Sequence, residues 1–493
     1  MNYLSQALYR AAQIRQAEQI AINELQISAW QLMQLAGAAA FARLRQRWPQ
    51  CRELWVFCGA GNNGGDGYVL ARLALEAGFR VQVYALAEPG KLQGDAQRAC
   101  SGYLQAGGRL DCFDPAVVAP AEAVVVDALF GTGLNRPLGP EYAQAITWIN
   151  ASTLPVLAVD VPSGLHADTG SVMGCAVHAR LTVTFIGLKC GLYTGEAVEY
   201  CGEIVLETLH LPEQVFSAVA PVATLLEKQL LPPRPLAAHK GRFGHVLLIG
   251  GNLGYSGAIR LAAEAALRSG AGLVSVASRA AHSALLNLGR PELMCHGVES
   301  ATELQPLLDR ASVLVIGPGL GQDAWAQTMF AAVINTGKPC VLDADALNLL
   351  AKQPVNSPRW LLTPHPGEAA RLLGCSTTDI SVDRYAAVLA LQVRYGGVVV
   401  LKGAGSLMTD GQTVHVGVTG NPGMASGGMG DVLSGILAAL LAQRLGLLAA
   451  ACLGVDVHGE AADRVAARQG QLGMLASDLF SELGYCLCHG KLG

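Results

Sequence analysis

Between Glu53 and Leu209, short apolar runs alternate with single helical patterns. "ELWVFCG" reads as a strand and "YVLARLALEAG" as a helix, "RVQVYAL" as a strand and "GDAQRACSGYLQAGG" as a helix. The series continues through "EAVVVDALFGTG", "YAQAITWINAS", "PVLAVDVPSG", "RLTVTFIG" and "EIVLETL". Strands that alternate with one helix each must run parallel, because the helix carries the chain back across the sheet. This predicts a Rossmann-like, doubly wound α/β sheet, with ligands expected outside the carboxyl ends of its strands. The polar residues gather at those ends: Asn62 to Asp66, Asp127, Gly131 to Pro137, and Asp160 to Ser163.

The pattern stops at 221–240, where Pro221, Pro232, Pro233 and Pro235 mark an exposed connector. A second α/β series follows, from "GHVLLIGG" through "SVLVIGPGLG", "PCVLDADALN", "RWLLTPHPGE" and "GVVVLKGAG" to "GNPGMASGGMGDVLSGILAALLAQ". A chain of 493 residues is too long for one ordinary core. The expectation is two different domains, 1–220 and 241–493, joined by a linker at 221–240.

Composition removes several classes. A formal charge of −4 offers no basic field for nucleic acid. The most apolar stretch, "SGILAALLAQRLGLLAAACLGV", is interrupted by Gln443 and Arg444 and reads as two buried helices, against a membrane span. The amino-terminal stretch lacks the apolar core of a signal peptide. Thirteen scattered cysteines without a C-x-x-C pair fit a reducing cytoplasm. Cys486, Cys488 and His489 cluster near the tail, where a surface-like position without a second ligand group argues against a metal site.

Within the first series, Gly59, Gly61 and Gly64 have the G-x-G-x-x-G spacing of a dinucleotide fingerprint. Asp66 breaks it, since a pyrophosphate docked there would face a carboxylate where the fingerprint relies on bare N–H groups. Asp127 and Asp160 each end an apolar strand and should converge on one sheet edge, or else serve as strand-end caps. Asn63 adds an amide oxygen and Ser163 a hydroxyl. Oxygen ligands with little formal charge suit a hard cation of low charge density. "GTGLNRP" offers N–H groups and Arg136 to phosphate.

Together "GNNGGDG", "DALFGTGL" and "AVDVPSG" resemble the amino-terminal domain of YjeF-type proteins, the NAD(P)H-hydrate epimerases, over about residues 1–215. The resemblance implies a potassium ion held by Asn63, Asp127 and Ser163. It implies a hydrated dinucleotide lined by Asn62, Asn63, Gly64, Gly65 and Asp66, by Gly131, Thr132, Gly133 and Leu134, and by Asn135, Arg136 and Pro137. Asp160 is then the catalytic candidate, its carboxylate moving a proton without net oxidation. The sequence departs from the family's usual Met-Glu at Gln34.

In the second series, a glycine-rich turn runs into an apolar helix with Asp431 at its entry. The N–H groups around Gly427, Gly428 and Gly430 form an anion hollow at a positive helix end. Asp431 could take a proton from a hydroxyl that attacks a phosphoryl group, or could simply cap the helix. Likewise Asp343 and Asp345 in "DADALN" end a strand near the same face, or cap the following helix, and His365 could be a buried turn histidine. The G-x-G-D arrangement resembles the ribokinase-like superfamily. "HKGRFGHVLLIGG", "IGPGLG", "DADALN", "TPHPGE" and "LKGAG" narrow this to the carbohydrate-kinase-like dehydratase that repairs NAD(P)H hydrates, from about residue 235 onward.

This second resemblance implies that Ala258, Gly319 and His365 contact the hydrated dinucleotide and that Asp431 meets the hydrate. Lys402, Gly403, Ala404, Gly405 and Ser406, with Gly430, would hold ADP, accompanied by magnesium. It also implies a homo-oligomer. A vitamin or sugar kinase with an accessory dinucleotide-binding domain is the alternative enzyme, and a scaffold that has lost catalysis is the non-enzymatic one.

Overall fold

The computed structural model describes residues 6–489 and divides the chain into two compact units, Met1–Thr224 and Leu225–Gly493. The Cys486–Cys488–His489 group falls within the described residues, but the following Gly490 lies outside them.

The first unit is built on a seven-stranded sheet in the order Leu110–Asp111, Arg80–Ala85, Glu53–Cys58, Val124–Ala128, Val156–Val159, Leu181–Phe185, Glu203–Glu207. Every neighbouring pair is parallel. Winding reverses between Glu53–Cys58 and Val124–Ala128, which opens a crevice at their carboxyl ends. The period of two is plain in Glu53–Cys58. Leu54, Val56 and Cys58 join a core with the helices Ala29–Arg47, Asn62–Glu76 and Gly94–Gln105. Trp55 and Phe57 point the other way into an aromatic cluster, where Trp55 stacks on Trp148 at 5.3 Å. At the margin, Leu8 and Tyr9 pair with Leu188 and Lys189, which fixes the backbone of a lysine that the site uses.

The second unit carries nine strands, ordered Met294–Gly297, Leu273–Ser278, His245–Ile249, Val313–Ile316, Cys340–Leu342, Trp360–Leu362, Val398–Leu401, Ser406–Thr409, Val414–Gly417. The first seven are parallel, Ser406–Thr409 runs antiparallel to Val398–Leu401, and Val414–Gly417 runs antiparallel to Ser406–Thr409. Helix Met429–Ala442 is buried along nearly its whole length, apolar all round as its sequence is. Its backbone approaches helix Ser256–Arg268 so closely that a Cβ on Gly435 would lie 2.0 Å from the Ala262 carbonyl oxygen. The two apolar segments flanking Gln443 and Arg444 are the helices Met429–Ala442 and Leu447–Gln469, and no described helix is long and apolar enough to cross a membrane.

Segment 221–240 is only partly a free connector. Leu226 N–H bonds to Val416 O and Leu231 N–H to Leu487 O, while Lys228 pairs with Glu460 and Asp456 on helix Leu447–Gln469. The stretch before the prolines is thereby strapped onto the second unit.

Candidate active sites

In the first unit, the crevice at the winding reversal is a cavity of about 480 Å³. "NNGGDG" does not form a loop. Gly61 precedes the helix and Asn62–Glu76 is helical from its first residue. Here the glycines serve packing: a Cβ on Gly64 would lie 2.1 Å from Gly59 O, and one on Gly65 would lie 2.5 Å from Met33 Cε. They let the helix sit down on its strand, and so bring Asn62, Asn63 and Asp66 to the cavity wall. Gly131, Thr132, Gly133 and Leu134 line the cavity too, as does Asp160. Asn135, Arg136 and Pro137 are exposed and do not line it. The arginine expected on a phosphate therefore faces solvent. Gln34 is not part of the wall either; its neighbour Met33 is.

Asp160 has φ +67, a left-handed conformation that aspartate tolerates better than most residues and that often marks a functional position. Its Oδ1 accepts from Thr184 Oγ1 and Phe185 N, both at 3.2 Å, and from Lys189 Nζ. Lys189, 1% exposed, directs its remaining two protons to Thr184 Oγ1 at 2.9 Å and Phe185 O at 2.7 Å. Oδ1 is thus saturated, whereas Oδ2 makes no hydrogen bond to a described residue. Both Oδ2 and Asn63 Oδ1 crowd Gly131, at 3.3 and 3.1 Å from where its Cβ would be. The carboxylate has one anchored oxygen and one left for a ligand.

Burial, and then the neighbouring Asp160 and Glu18, push the Asp66 carboxyl well above the usual range. Burial and Asp160 raise Glu18 as well. That shift favours the neutral carboxyl, which repels a pyrophosphate less than a carboxylate does. Asp127 and Ser163 lie beneath the wall. Ser163 donates through Oγ to Asp127 Oδ1 at 2.6 Å and through N to Oδ2 at 2.8 Å, and its Oγ accepts from Phe130 N at 2.8 Å. Asn63 is buried, yet neither its Oδ1 nor its Nδ2 has a hydrogen-bond partner.

Sequence reading missed Glu18 and Lys189. The signal for Lys189 was a lone lysine inside the apolar run "FIGLKCGL"; Glu18 sits in an ordinary amphipathic helix and gave none. Replacing Lys189 with Met leaves Asp160 without its cation. We expect the first unit to lose about 3 kcal/mol of stability, as when one partner of a buried pair is removed, read as a lower midpoint in denaturant unfolding.

In the second unit, Gly428, at φ +92, turns the chain into helix Met429–Ala442. The first N–H groups of that helix have no intrahelical acceptors and face outward. Asp431 in its first turn is pushed up to about 7, by burial first and then by Asp343, against the pull of Lys402. Lys402 Nζ donates to Asp343 Oδ1 at 2.8 Å and lies 3.3 Å from where a Cβ on Gly430 would be. A side chain at 430 would press on that ammonium. Arg384, buried and pushed down to about 10 by that burial, bonds the carbonyls of Leu401, Lys402 and Gly405. It thereby shapes the 402–406 loop, where Gly403 and Ala404 are exposed.

Ala258 and Gly319 adjoin, since a Cβ on Gly319 would lie 3.2 Å from that of Ala258. His365 is not a buried turn residue. It caps helix Pro366–Leu373 through Nδ1, which accepts from Gly367 N at 3.0 Å, and its side chain is 49% exposed. Burial and the Lys402 charge lower its pKa, and its Nε2 faces the Glu368 carboxylate at 3.4 Å. His458 went unnoticed in the sequence. It is buried, pushed down to about 4 by burial and then by Lys402, and its Nε2 has no partner.

The family described as YjeF-related protein N-terminus matches residues 29–191, and that described as NAD(P)H-hydrate dehydratase matches 246–484. The bifunctional NAD(P)H-hydrate repair enzyme Nnr of Coxiella burnetii is 50% identical over 481 residues, 97% of this chain and 98% of that protein. Its namesake in Escherichia coli is 45% identical over 97% of this chain and 93% of that protein. Among solved structures, an ADP/ATP-dependent NAD(P)H-hydrate dehydratase of Bacillus subtilis, co-crystallised with ATP and Mg2+, is 28% identical. It covers 52% of this chain and 93% of its own, with a TM-score of 0.48.

Proposed function

The chain belongs to the family of bifunctional NAD(P)H-hydrate repair enzymes, and from that premise we propose that its two sites work in sequence on hydrated NADH and NADPH. The first unit interconverts the R and S hydrates. The second removes water from the S form at the expense of ADP, giving AMP and phosphate. The observation that carries this reading is Asp160, anchored through Oδ1, with Oδ2 left without a hydrogen bond to a described residue, at a cavity of about 480 Å³. Epimerisation needs a proton taken from and returned to the ring hydroxyl or its carbon, which is general acid–base work.

In the second unit, the ring hydroxyl loses its proton to Asp431 as its oxygen attacks the β-phosphorus of ADP, and the bond to AMP breaks. Ring nitrogen then expels phosphate, a far better leaving group than hydroxide, and loss of the neighbouring carbon's proton restores the double bond. The helix N–H groups and Lys402 neutralise the charge in transit. Magnesium accompanies the nucleotide, as it does ATP in the Bacillus subtilis enzyme.

Potassium belongs to the first site in this reading. The buried, unpartnered Asn63 amide and the Asp127 and Ser163 oxygens are a donor set with one formal charge, which fits a monovalent ion. Bound there, it would order the cavity wall. Exchanging potassium for a bulky organic cation is expected to slow epimerisation by about 10-fold, on the scale of disturbing a metal's supporting shell, with dehydration of purified S hydrate unchanged. The protein is taken to act in the cytoplasm as a homo-oligomer; size-exclusion chromatography with light scattering tests the latter. The overall reading is tested by incubating an R,S mixture of NADH hydrate with ADP. Full recovery of NADH with AMP and phosphate is expected. A stable phosphate ester made from ATP would instead mark a small-molecule kinase.

A further inference from the structure

Asp343 follows strand Cys340–Leu342 and occupies the N-cap position of helix Ala344–Lys352, yet its side chain makes no capping hydrogen bond. The carboxylate turns inward and is 2% exposed. Oδ1 accepts from Thr363 Oγ1 at 2.8 Å and from Lys402 Nζ at 2.8 Å, and Oδ2 accepts from Ser434 Oγ at 3.0 Å. The backbone is bent to allow this. Ala344 is held at φ +47, and Gly317 comes so close that a Cβ there would lie 1.8 Å from Asp343 O. A helix cap would need neither the strain nor the close approach.

The three donors belong to three different elements. Thr363 follows strand Trp360–Leu362, Lys402 follows strand Val398–Leu401, and Ser434 lies three residues beyond Asp431 in helix Met429–Ala442. The ammonium they fix lies against Gly430, the residue before Asp431. We infer that Asp343 is a positioning residue of the dehydration reaction: it ties the Lys402 ammonium to the first turn of the Asp431 helix and sets the charge that Asp431 meets.

Asp343 and Lys402 are the charged groups that act on Asp431. Lys402 in turn meets Glu368 at 3.9 Å and acts on the neutral His458 of helix Leu447–Gln469. Helix Ser256–Arg268, packed along the Asp431 helix, brings Arg260 and Glu264, but these are engaged by Leu288 O and Arg290. The inference rests on reading Asp431 as the base.

The test is Asp343→Asn in the full-length protein, assayed for dehydration of S-NADH hydrate with ADP at about pH 6 and about pH 8. A base titrating near 7 gives the wild type a rate ratio of about one-tenth between these conditions. Without the Asp343 charge Asp431 titrates lower, so the ratio rises toward unity, while KM for ADP increases because Lys402 is no longer held. An unchanged ratio, with the rate reduced equally at both pH values or not at all, overturns the inference. Should Asp343→Asn fail to fold, Ser434→Ala frees Oδ2 while keeping the charge. It should raise KM for ADP several-fold with the ratio unmoved, and wild-type kinetics would overturn the inference. Asp431→Asn separates the two failures. If it dehydrates normally, the base assignment is wrong; if it is inactive and Asp343→Asn leaves the ratio unmoved, the positioning role is wrong.

Discussion

Asp160→Asn stops epimerisation, with kcat down about 10³-fold, in the range expected for loss of a general base. Asparagine keeps the volume and tolerates φ +67. Its amide oxygen can still accept from Thr184, Phe185 and Lys189, so that anchorage survives. What disappears is the basic lone pair of the free oxygen. In a mixed NADH hydrate with ADP, recovery of reduced-nicotinamide absorbance should then show a fast phase equal to the S fraction and halt. Purified S hydrate should be dehydrated at the wild-type rate. A variant that consumes both epimers at that rate would remove Asp160 from the chemistry.

The second large effect is the mirror image. Asp431→Asn should cut dehydration of the S hydrate by about 10³-fold and leave interconversion of the epimers, followed by chromatography, at the wild-type rate. The group is poised for proton transfer near neutrality. It titrates at about 7, raised by burial and by Asp343, so its basic form accumulates as pH rises through 7 and is lost below it. The wild-type rate should therefore fall tenfold per pH unit on the acid side, and that limb should be absent from the residual activity of Asp431→Asn. A residual rate that keeps the limb would place the titrating base elsewhere.

Much of the architecture was written in local pattern. Strands such as Glu53–Cys58 and Val124–Ala128 are continuous apolar runs because both faces of a parallel sheet are covered, and the aspartates at strand ends were visible for the same reason. Local pattern failed where the chain's meaning depends on a distant partner. "NNGGDG" has every mark of a loop, since glycine disfavours helix interiors. It is helical because Gly64 and Gly65 must let a strand and Met33 approach. Arg136 lies in a motif segment yet points to solvent, and motif membership does not fix the direction of a side chain. Asp343 could be read as cap or site, and only the Thr363, Lys402 and Ser434 contacts decide it. Lys189 acquires its meaning from Asp160, 29 residues away.

The strap formed by Leu226, Lys228 and Leu231 bears on how such a fusion can be taken apart. The visual seam is the proline run, but the mechanical seam lies upstream, at Thr224/Leu225. A free-standing second half that begins after the prolines would discard Lys228 and leave Asp456 and Glu460 buried side by side without their cation. Any genetic exchange that separates these halves, in the laboratory or in evolution, must carry residues 225–231 with the downstream partner.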